Sequence, residues 1–322
     1  QRSHWARREP RNRISAPYFG VAMKYYELDP ENNHFTDVVI DVTHRCNMMC
    51  KNCYIPNREI PDMDADLMID ALSRFPKKVT VRIIGAEPTM RKDLPELITR
   101  IKKTNHRITL LTNGLKLARE SYVEQLKNAG LKNLYLSMNG VDNDDWYEKI
   151  DELRCANKKM KAMVYSHKHK ILRDIGCIIT QGVNEDAPSR MLSMLKHHNI
   201  GNVTLRFKTI GQIGRFMPEE YQMTMDDLIN IMSNQLNLSK DYVEHWRDNW
   251  IYPDNRQEKD SFLFPLNPDS KRVYSGIWIK LVNWNKYGKE TVLSNSTRRG
   301  RLTENFKVAP FFEHVTQNEG EY

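Results

Sequence analysis

The chain has 322 residues, 40% of them hydrophobic, and its 49 Lys and Arg against 41 Asp and Glu give a net charge of +8. This size and apolar content are typical of a globular protein with one large α/β domain or two modest ones, and no segment approaches the roughly 18 uncharged apolar residues that cross a bilayer. Residues 1–8 lack the apolar core of a secretory signal, so we expect a cytoplasmic protein with no membrane partner.

Short β-rich runs alternate with helical runs from about residue 36. The predicted strands are dense in Val, Ile, Leu or Tyr, as buried parallel strands are, and cover 37–42, 79–84, 107–111, 133–138, 175–180 and 202–207. The predicted helices between them cover 64–75, 93–104, 118–129, 156–172 and 186–199. Six such repeats indicate an α/β fold, either a doubly wound sheet or a partial (β/α)6 TIM-like barrel, with the working groups at the C-terminal ends of the strands.

The pattern changes after about residue 215. Two helices near 224–237 and 239–250 precede a segment rich in Pro, Asn and Asp at 252–269, and then a β-hairpin of 273–284 with 290–293. We therefore divide the chain into three parts: an N-terminal extension at 1–35, a partial barrel at 36–215, and a C-terminal α+β appendage at 216–322. We expect the appendage to cover or complete the mouth of the barrel.

Three of the five cysteines form a C-x3-C-x2-C run, Cys46, Cys50 and Cys53, directly after the first predicted strand. A disulfide scaffold would spread its cysteines through a short secreted chain, so metal or redox chemistry is the better interpretation. Three thiolates can ligate three irons of a [4Fe–4S] cluster and leave the fourth iron open to an amino-acid chelate, such as the methionyl part of S-adenosylmethionine (SAM). A zinc site of the same thiols with His44 is the alternative, and the spacing alone does not decide between the two.

Segment 43–54 resembles the signature loop of the radical SAM superfamily, including the aromatic residue after the third cysteine. At 84–88 the sequence resembles the Gly-Gly-Glu-Pro motif of that family, except that Ala86 replaces the second glycine. Other segments that resemble family motifs follow in order at 112–114, 136–140, 182–184 and 205–207. The last two resemble the branch that contains the molybdopterin-pathway GTP cyclase and peptide-modifying enzymes, and the whole resemblance covers about 36–215.

The resemblance implies that Cys46, Cys50 and Cys53 ligate the cluster. The SAM-binding candidates that it implies are Tyr54, Gly85, Ala86, Glu87, Pro88, Thr112, Asn113, Ser137, Asn139 and Arg206. In this interpretation the backbone at Tyr54 lies beside the adenine, and the carbonyls of 85–88 with the Glu87 carboxylate face the SAM amine. The alternatives are simple loop packing for Tyr54 and a tight turn for 85–88.

Four candidates, Ser137, Asn139, Arg206 and Cys177, have equally plain alternatives. Ser137 and Asn139 suit the methionyl carboxylate or the ribose hydroxyls of SAM, or they cap strand ends. Arg206 lies among apolar neighbours and needs an anionic partner, which is the SAM carboxylate, an acidic substrate or a structural ion pair. Cys177, within the fifth predicted strand, is either an apolar packing residue or a thiol that donates a hydrogen atom to a substrate radical.

The resemblance implies that an external donor such as flavodoxin or ferredoxin reduces the cluster. SAM cleavage then gives methionine and a 5′-deoxyadenosyl radical, which abstracts hydrogen from a substrate. No cysteine follows Cys177, so we expect no auxiliary cluster held by C-terminal thiolates.

We expect a small polar or phosphorylated metabolite as the substrate, or alternatively a peptide. A non-catalytic metal-binding or sensing protein is the interpretation from another class, and segment 85–88 with Ser137 argues against it. The basic tracts 7–13 and 298–301 are solvated segments or attract anions, but they lack the interleaved aromatic residues that bind single-stranded nucleic acid, so a nucleic-acid partner is not expected.

Overall fold

The structure is a computed structural model, and it describes residues 26–53, 55, 57–211, 219–252, 257–267, 276–284 and 298–311. Three sequence predictions lie outside these residues: the SAM contact at Tyr54, the second hairpin strand at 290–293, and the basic tract at 7–13. None of the helices described is long and apolar enough to cross a membrane.

Ten strands form one open sheet in the described part of the chain, in the order β10-β9-β1-β2-β3-β4-β5-β6-β8-β7. They are β1 Asp37–Asp41, β2 Thr80–Ile84, β3 Arg107–Thr112, β4 Asn133–Ser137, β5 Leu172–Ile178, β6 Thr204–Lys208, β7 Ser261–Pro265, β8 Trp278–Val282, β9 Arg299–Leu302 and β10 Val308–Pro310. Strands β1 to β6 are parallel and adjacent in chain order. The predicted partial barrel is therefore confirmed, and its working edge is the carboxyl end of these six strands.

The helices of the repeats pack against one face of the sheet and bury its aliphatic side chains. They are α1 Ala65–Ser73, α2 Leu94–Lys103, α3 Glu120–Asn128, α4 Asp144–Asp151, α5 Ala156–Lys168, α6 Ala187–His197, and, after the barrel strands, α7 Met225–Leu236 and α8 Lys240–Asn249. Helix α4 was not predicted, because it is short and mostly charged. It begins at Asn143, whose side chain accepts hydrogen bonds from the backbone of Asp145 and Trp146.

The strands after residue 215 extend the sheet at both of its edges. Strand β8 pairs in parallel with β6 and antiparallel with β7, while β9 pairs in parallel with β1. Both sides of β8 are thus paired, while the second hairpin strand predicted at 290–293 lies outside the described residues. The segment at 252–269, which is rich in Pro, Asn and Asp, contains β7, and all five residues of this strand are buried.

The tract at 298–301 is not a solvated loop. It forms most of β9, and Arg301 is fully buried there and paired with Asp41. The sequence pattern was misleading because three arginines in four residues are typical of a surface segment. The division of the chain at residue 215 stays a prediction.

Side chains two apart on a strand share a face of the sheet. On β6, Leu205 and Phe207 belong to the aliphatic core under the helices. Arg206 and Lys208 therefore point to the opposite, inner face of the sheet, as does Asp174 on the neighbouring β5. This inner face carries charged side chains, and the candidate site lies above it.

Candidate active site

A cleft opens at the carboxyl ends of the parallel strands and contains about 1320 Å³ of empty space, counting its open mouth. Most of the predicted site residues line it: Cys46, Cys50, Cys53, Gly85, Ala86, Glu87, Thr112, Asn113, Ser137, Asn139 and Arg206. Pro88 does not line the cleft but begins a buried 3-10 turn directly behind it. The fold thus brings together residues that are up to 160 positions apart in the sequence, from Cys46 to Arg206.

The three cysteines of the loop after β1 are free thiols, each half-buried at the cleft. Burial raises the pKa of the Cys46 and Cys50 thiols, and the nearby Asp151 carboxyl raises that of Cys50 further. Their thiolates therefore need a positively charged partner, which a metal centre supplies. At Cys53, the Nη2 atom of Arg58 donates to Sγ at 3.2 Å.

A [4Fe–4S] cluster suits this donor set. Among the side chains that the structure describes, no group of three or more His, Cys, Asp or Glu surrounds one ion position, and the zinc site with His44 stays an untested alternative. A cluster distributes its three thiolate ligands over three irons, which agrees with three thiols that line one cleft without converging on a single point. Cys155 and Cys177 are both buried and lie outside the cleft lining.

Gly85 holds the second motif against the cysteine loop. Its φ of +133° is a left-handed value, and a Cβ at this position would come within 2.3 Å of the Thr43 carbonyl oxygen. The next two backbone amides donate to this loop, Ala86 N to Thr43 O at 2.9 Å and Glu87 N to Arg45 O at 3.0 Å. Only glycine fits at 85, whereas the methyl of Ala86 is accommodated in place of the second glycine of the motif.

The Glu87 carboxylate joins the ends of β2 and β3. Its Oε1 accepts hydrogen bonds from Thr89 N at 3.1 Å, Thr89 Oγ1 at 2.5 Å and Thr112 Oγ1 at 2.6 Å, and its Oε2 accepts from Asn113 N at 2.7 Å. Glu87 is only 1% exposed. The carboxylate thus accepts three hydrogen bonds at Oε1 and one at Oε2, and it connects the turn at Thr89 to the end of β3.

Asn113 connects the end of β3 to the cysteine loop. Its Nδ2 donates to Asn47 Oδ1 at 2.8 Å and lies 3.9 Å from Cys46 Sγ, while its Oδ1 accepts from Leu115 N at 3.0 Å. Thr112 and Asn113 therefore both orient neighbouring parts of the cleft wall.

A buried polar network supports the opposite side of the cysteine loop. Asn139 donates through Nδ2 to Asp151 Oδ1 at 2.9 Å, and its Oδ1 accepts from Ile178 N at 3.0 Å. Lys159 donates to Ser137 O at 3.0 Å. Asp151 and Lys159 are each 1% exposed, and they line the cleft beside Cys50. Burial raises the pKa of the Asp151 carboxyl, and the charge of Lys159 opposes this.

Sequence reasoning missed both Asp151 and Lys159. Asp151 ends the unpredicted helix α4, and Lys159 lies in a run of lysines that has the pattern of an exposed helix face. The amide of Asn139 is occupied by this network, whereas Ser137 lines the cleft and its contact with SAM stays a prediction.

Cys177 points to the aliphatic core on the helix side of β5. Its Sγ lies 3.7 Å from Asn139 O and from Asn184 Nδ2, and burial raises its pKa. Asn184 in turn donates to Asn139 O and to Ile178 O, both at 2.8 Å. The arrangement is that of a packing residue, and the hydrogen-donor role of Cys177 stays a prediction.

Charged residues of β5 and β6 line one side of the cleft. These two strands lie farther along the sheet than the cysteine loop, which follows β1. Arg206 Nη2 lies 2.6 Å from Asp174 Oδ2, and its guanidinium carbon is 5.0 Å from the ring centroid of Tyr135. The structural ion pair considered for Arg206 is therefore formed. Lys208, two residues further on, also lines the cleft and was not predicted.

Residues 40–195 match the family described as the Radical SAM superfamily. Over 114 residues the chain is 37% identical to 7,8-dihydro-6-hydroxymethylpterin dimethyltransferase of Methanocaldococcus jannaschii. The aligned region covers 32% of this chain and 22% of that protein. Over 224 residues the chain is 24% identical to GTP 3′,8-cyclase of Staphylococcus aureus. The aligned region covers 63% of this chain and 62% of that protein. The chain thus spans between about a fifth and about three fifths of the length of these relatives.

The crystal structure of Streptococcus suis SuiB bound to precursor peptide SuiA superposes with a TM-score of 0.59 at 15% identity, over 86% of this chain and 59% of that chain. SuiB has also been crystallised with S-adenosylmethionine. At this identity the similarity concerns the fold. It agrees with the partial barrel described above.

Proposed function

We propose that this chain, whose residues 40–195 belong to the radical SAM superfamily, abstracts a hydrogen atom from a small polar or phosphorylated metabolite bound in the cleft. The cofactors of this family are a [4Fe–4S] cluster and SAM, which when bound supply an electron and a 5′-deoxyadenosyl radical. The observation that carries the proposal is that three free thiols and the Gly85–Glu87 backbone line one cleft at the carboxyl ends of the strands.

The residues of the chain hold and orient these groups. Cys46, Cys50 and Cys53 ligate the cluster. The carbonyls of Gly85 and Ala86 accept hydrogen bonds from the SAM amine, and the Ser137 hydroxyl donates to the methionyl carboxylate or a ribose oxygen.

Positioning residues keep these groups in place. Glu87 fixes the two strand ends that carry the carbonyls, and Asn139 fixes the strand end next to Ser137. The backbone at Tyr54 remains our candidate contact for the adenine.

A charged wall continues the cleft beyond these groups. Asp174, Arg206 and Lys208 suit a small substrate with polar or anionic groups better than an apolar one. An external reductant such as flavodoxin or ferredoxin would supply the electron, and the cysteine loop offers it an exposed side chain at Met49, which is 53% exposed.

A peptide substrate is the second candidate. The similar fold of SuiB is seen with a precursor peptide, and the cleft described here is open at its mouth. A metabolite would be enclosed by the charged wall, whereas a peptide would have to extend out of the cleft across its rim.

The test is anaerobic reconstitution of the full chain with iron and sulfide, followed by SAM and dithionite, with chromatographic measurement of 5′-deoxyadenosine. We expect 5′-deoxyadenosine from the reconstituted wild type and none from a variant with all three of Cys46, Cys50 and Cys53 changed to Ala. A Cys155→Ala variant is the matched control, because Cys155 lies outside the cleft lining. A clustered wild-type protein that binds SAM without cleaving it would contradict the enzymatic function and favour a sensing role.

A further inference from the structure

We propose that Arg206 and Lys208 form a phosphate-binding subsite on the inner wall of the cleft, with Lys280 adding positive charge beside them. The subsite would receive a phosphate monoester group of the substrate. This inference rests on the proposed function, because it places that substrate in the same cleft.

The register of the sheet brings the three cations to one place. Arg206 and Lys208 are two residues apart on β6 and share its inner face. Lys280 on the neighbouring β8 is the register partner of Arg206. On the other side, the register partner of Arg206 is Gly176 of β5, which has no side chain. A Cβ built on Gly176 would meet nothing closer than Leu136 O at 3.9 Å, so space is open above the guanidinium.

One carboxylate faces these three cations in the parts of the chain that the structure describes. Asp174 pairs with Arg206 Nη2, and the Nε of Arg206 is buried without a hydrogen-bond partner among those parts. Lys208 and Lys280 contact aromatic rings, Trp284 at 5.5 Å and Tyr252 at 5.4 Å, and neither forms an ion pair there.

Arg82 on β2 and Arg298 directly before β9 both pair with Asp37, at 3.1 and 3.2 Å. When both lysines are protonated, Arg206, Lys208 and Lys280 exceed the one carboxylate that faces them in the described part of the chain by two positive charges, which a phosphate monoester dianion would balance.

The pKa values of both lysines are lowered. Burial and the charge of Arg206 together lower the pKa of Lys208 to about 8, against the opposing effects of Asp174 and Cys177. Burial also lowers the pKa of Lys280 well below its usual value. Three guanidinium groups act on Lys280 in the same direction, those of Arg206, Arg299 and Arg82, while Asp174 opposes them. A phosphate between these groups would raise both pKa values, so binding would take up protons.

The cysteine loop lies at the other side of the cleft, where Glu87, the Asp151 carboxyl, Arg58 and Lys159 also line it. We expect SAM at that side, so the subsite is proposed for the substrate and not for SAM.

The test measures binding of inorganic phosphate to the full reconstituted chain with SAM present, by calorimetry at pH 8 and constant ionic strength. We expect saturable binding of phosphate to the wild type. The phosphate affinity should fall by about tenfold or more in Lys208→Met and by less in Lys280→Met, while Lys208→Arg should retain most of the affinity. Lys132→Met, at an exposed lysine of the outer surface, is the matched control. At pH 8 the binding enthalpy should depend on the ionisation enthalpy of the buffer in the direction of proton uptake.

Two results would overturn the subsite: equal phosphate affinity in wild type and Lys208→Met when circular dichroism shows both folded, or acetate binding as tightly as phosphate. Absence of saturable phosphate binding would do the same. Phosphate binding does not require SAM cleavage. A protein that binds phosphate as expected but forms no 5′-deoxyadenosine would therefore contradict the proposed function and leave the subsite supported.

Discussion

The carboxylate of Asp174 lies 2.6 Å from the guanidinium of Arg206, across two adjacent strands on the inner face of the sheet. Because Asp174 is only 4% exposed, this ion pair is largely removed from water. Asp174 therefore serves as a counter-ion for Arg206, while the contact of Arg206 with SAM stays a prediction.

Asp174→Asn removes the carboxylate that, in the described part of the chain, alone faces three cations. We expect the free energy of unfolding in urea to fall by about 3–5 kcal/mol, because a buried charge left without its partner is costly. In the double variant Asp174→Asn with Arg206→Met, much of this loss should be recovered. A single-variant loss below about 1 kcal/mol would place the pair among weak surface salt bridges and contradict its structural role.

Glu87→Gln keeps the shape of the side chain but turns one acceptor into a donor. At least one of the partners Asn113 N–H, Thr89 and Thr112 then faces an N–H group, so we expect a loss of about 1–3 kcal/mol in unfolding free energy. SAM cleavage should fall as well, since the strand ends that carry the SAM-facing carbonyls lose their connection. Glu124→Gln on the exposed face of α3 is the control. Unchanged stability together with lost SAM binding would instead show that Glu87 contacts SAM directly.

Gly85→Ala places a methyl group against the backbone of Thr43. We expect a destabilisation of about 1–3 kcal/mol from overpacking and strain, and less iron bound per chain after reconstitution. Gly201→Ala is the matched control, because a Cβ at Gly201 meets nothing within 4 Å. Normal iron content and stability in Gly85→Ala would contradict the close approach of this segment to the cysteine loop.

The lowered pKa of Lys208 makes stability depend on pH. Between about pH 8 and the ordinary lysine value of 10.5, the unfolded chain binds a proton at this site that the folded chain does not. The unfolding free energy of the wild type should therefore rise with pH across this range relative to Lys208→Met, by about 2 kcal/mol. Parallel pH profiles of the two proteins would show that Lys208 is well solvated.

The repeating part of the fold was predictable because each parallel strand is an apolar run of its own. Strand β6 was predicted at 202–207 and is Thr204–Lys208, and β5 differs mainly in starting earlier, at Leu172. The strands at the two edges were not predictable in the same way. Strand β9 is defined by its pairing with β1, more than 250 residues away, and such pairing leaves no local signal in the chain.

In the candidate site, too, the residues of contiguous motifs were predictable and those placed by tertiary structure were not. The placement of the three cysteines and of Gly85 at one cleft was expected from motifs that are contiguous in sequence. Two other residues at the cleft were not expected. Asp151, which binds the amide of Asn139, reaches the cleft at the end of the unpredicted helix α4, and Lys208 reaches it because alternate side chains of β6 share a face. A charged residue in a short apolar strand, such as Lys208 two positions after Arg206, was the signal that could have identified the wall.

Electron paramagnetic resonance of the reduced, reconstituted chain tests most directly whether three thiolates hold a cluster whose remaining iron binds SAM. The account predicts the spectrum of a reduced [4Fe–4S] cluster whose g values change when SAM is added, with loss of that spectrum in Cys50→Ala. A cluster spectrum that SAM leaves unaltered, or purified protein with zinc in place of iron at these cysteines, would contradict it.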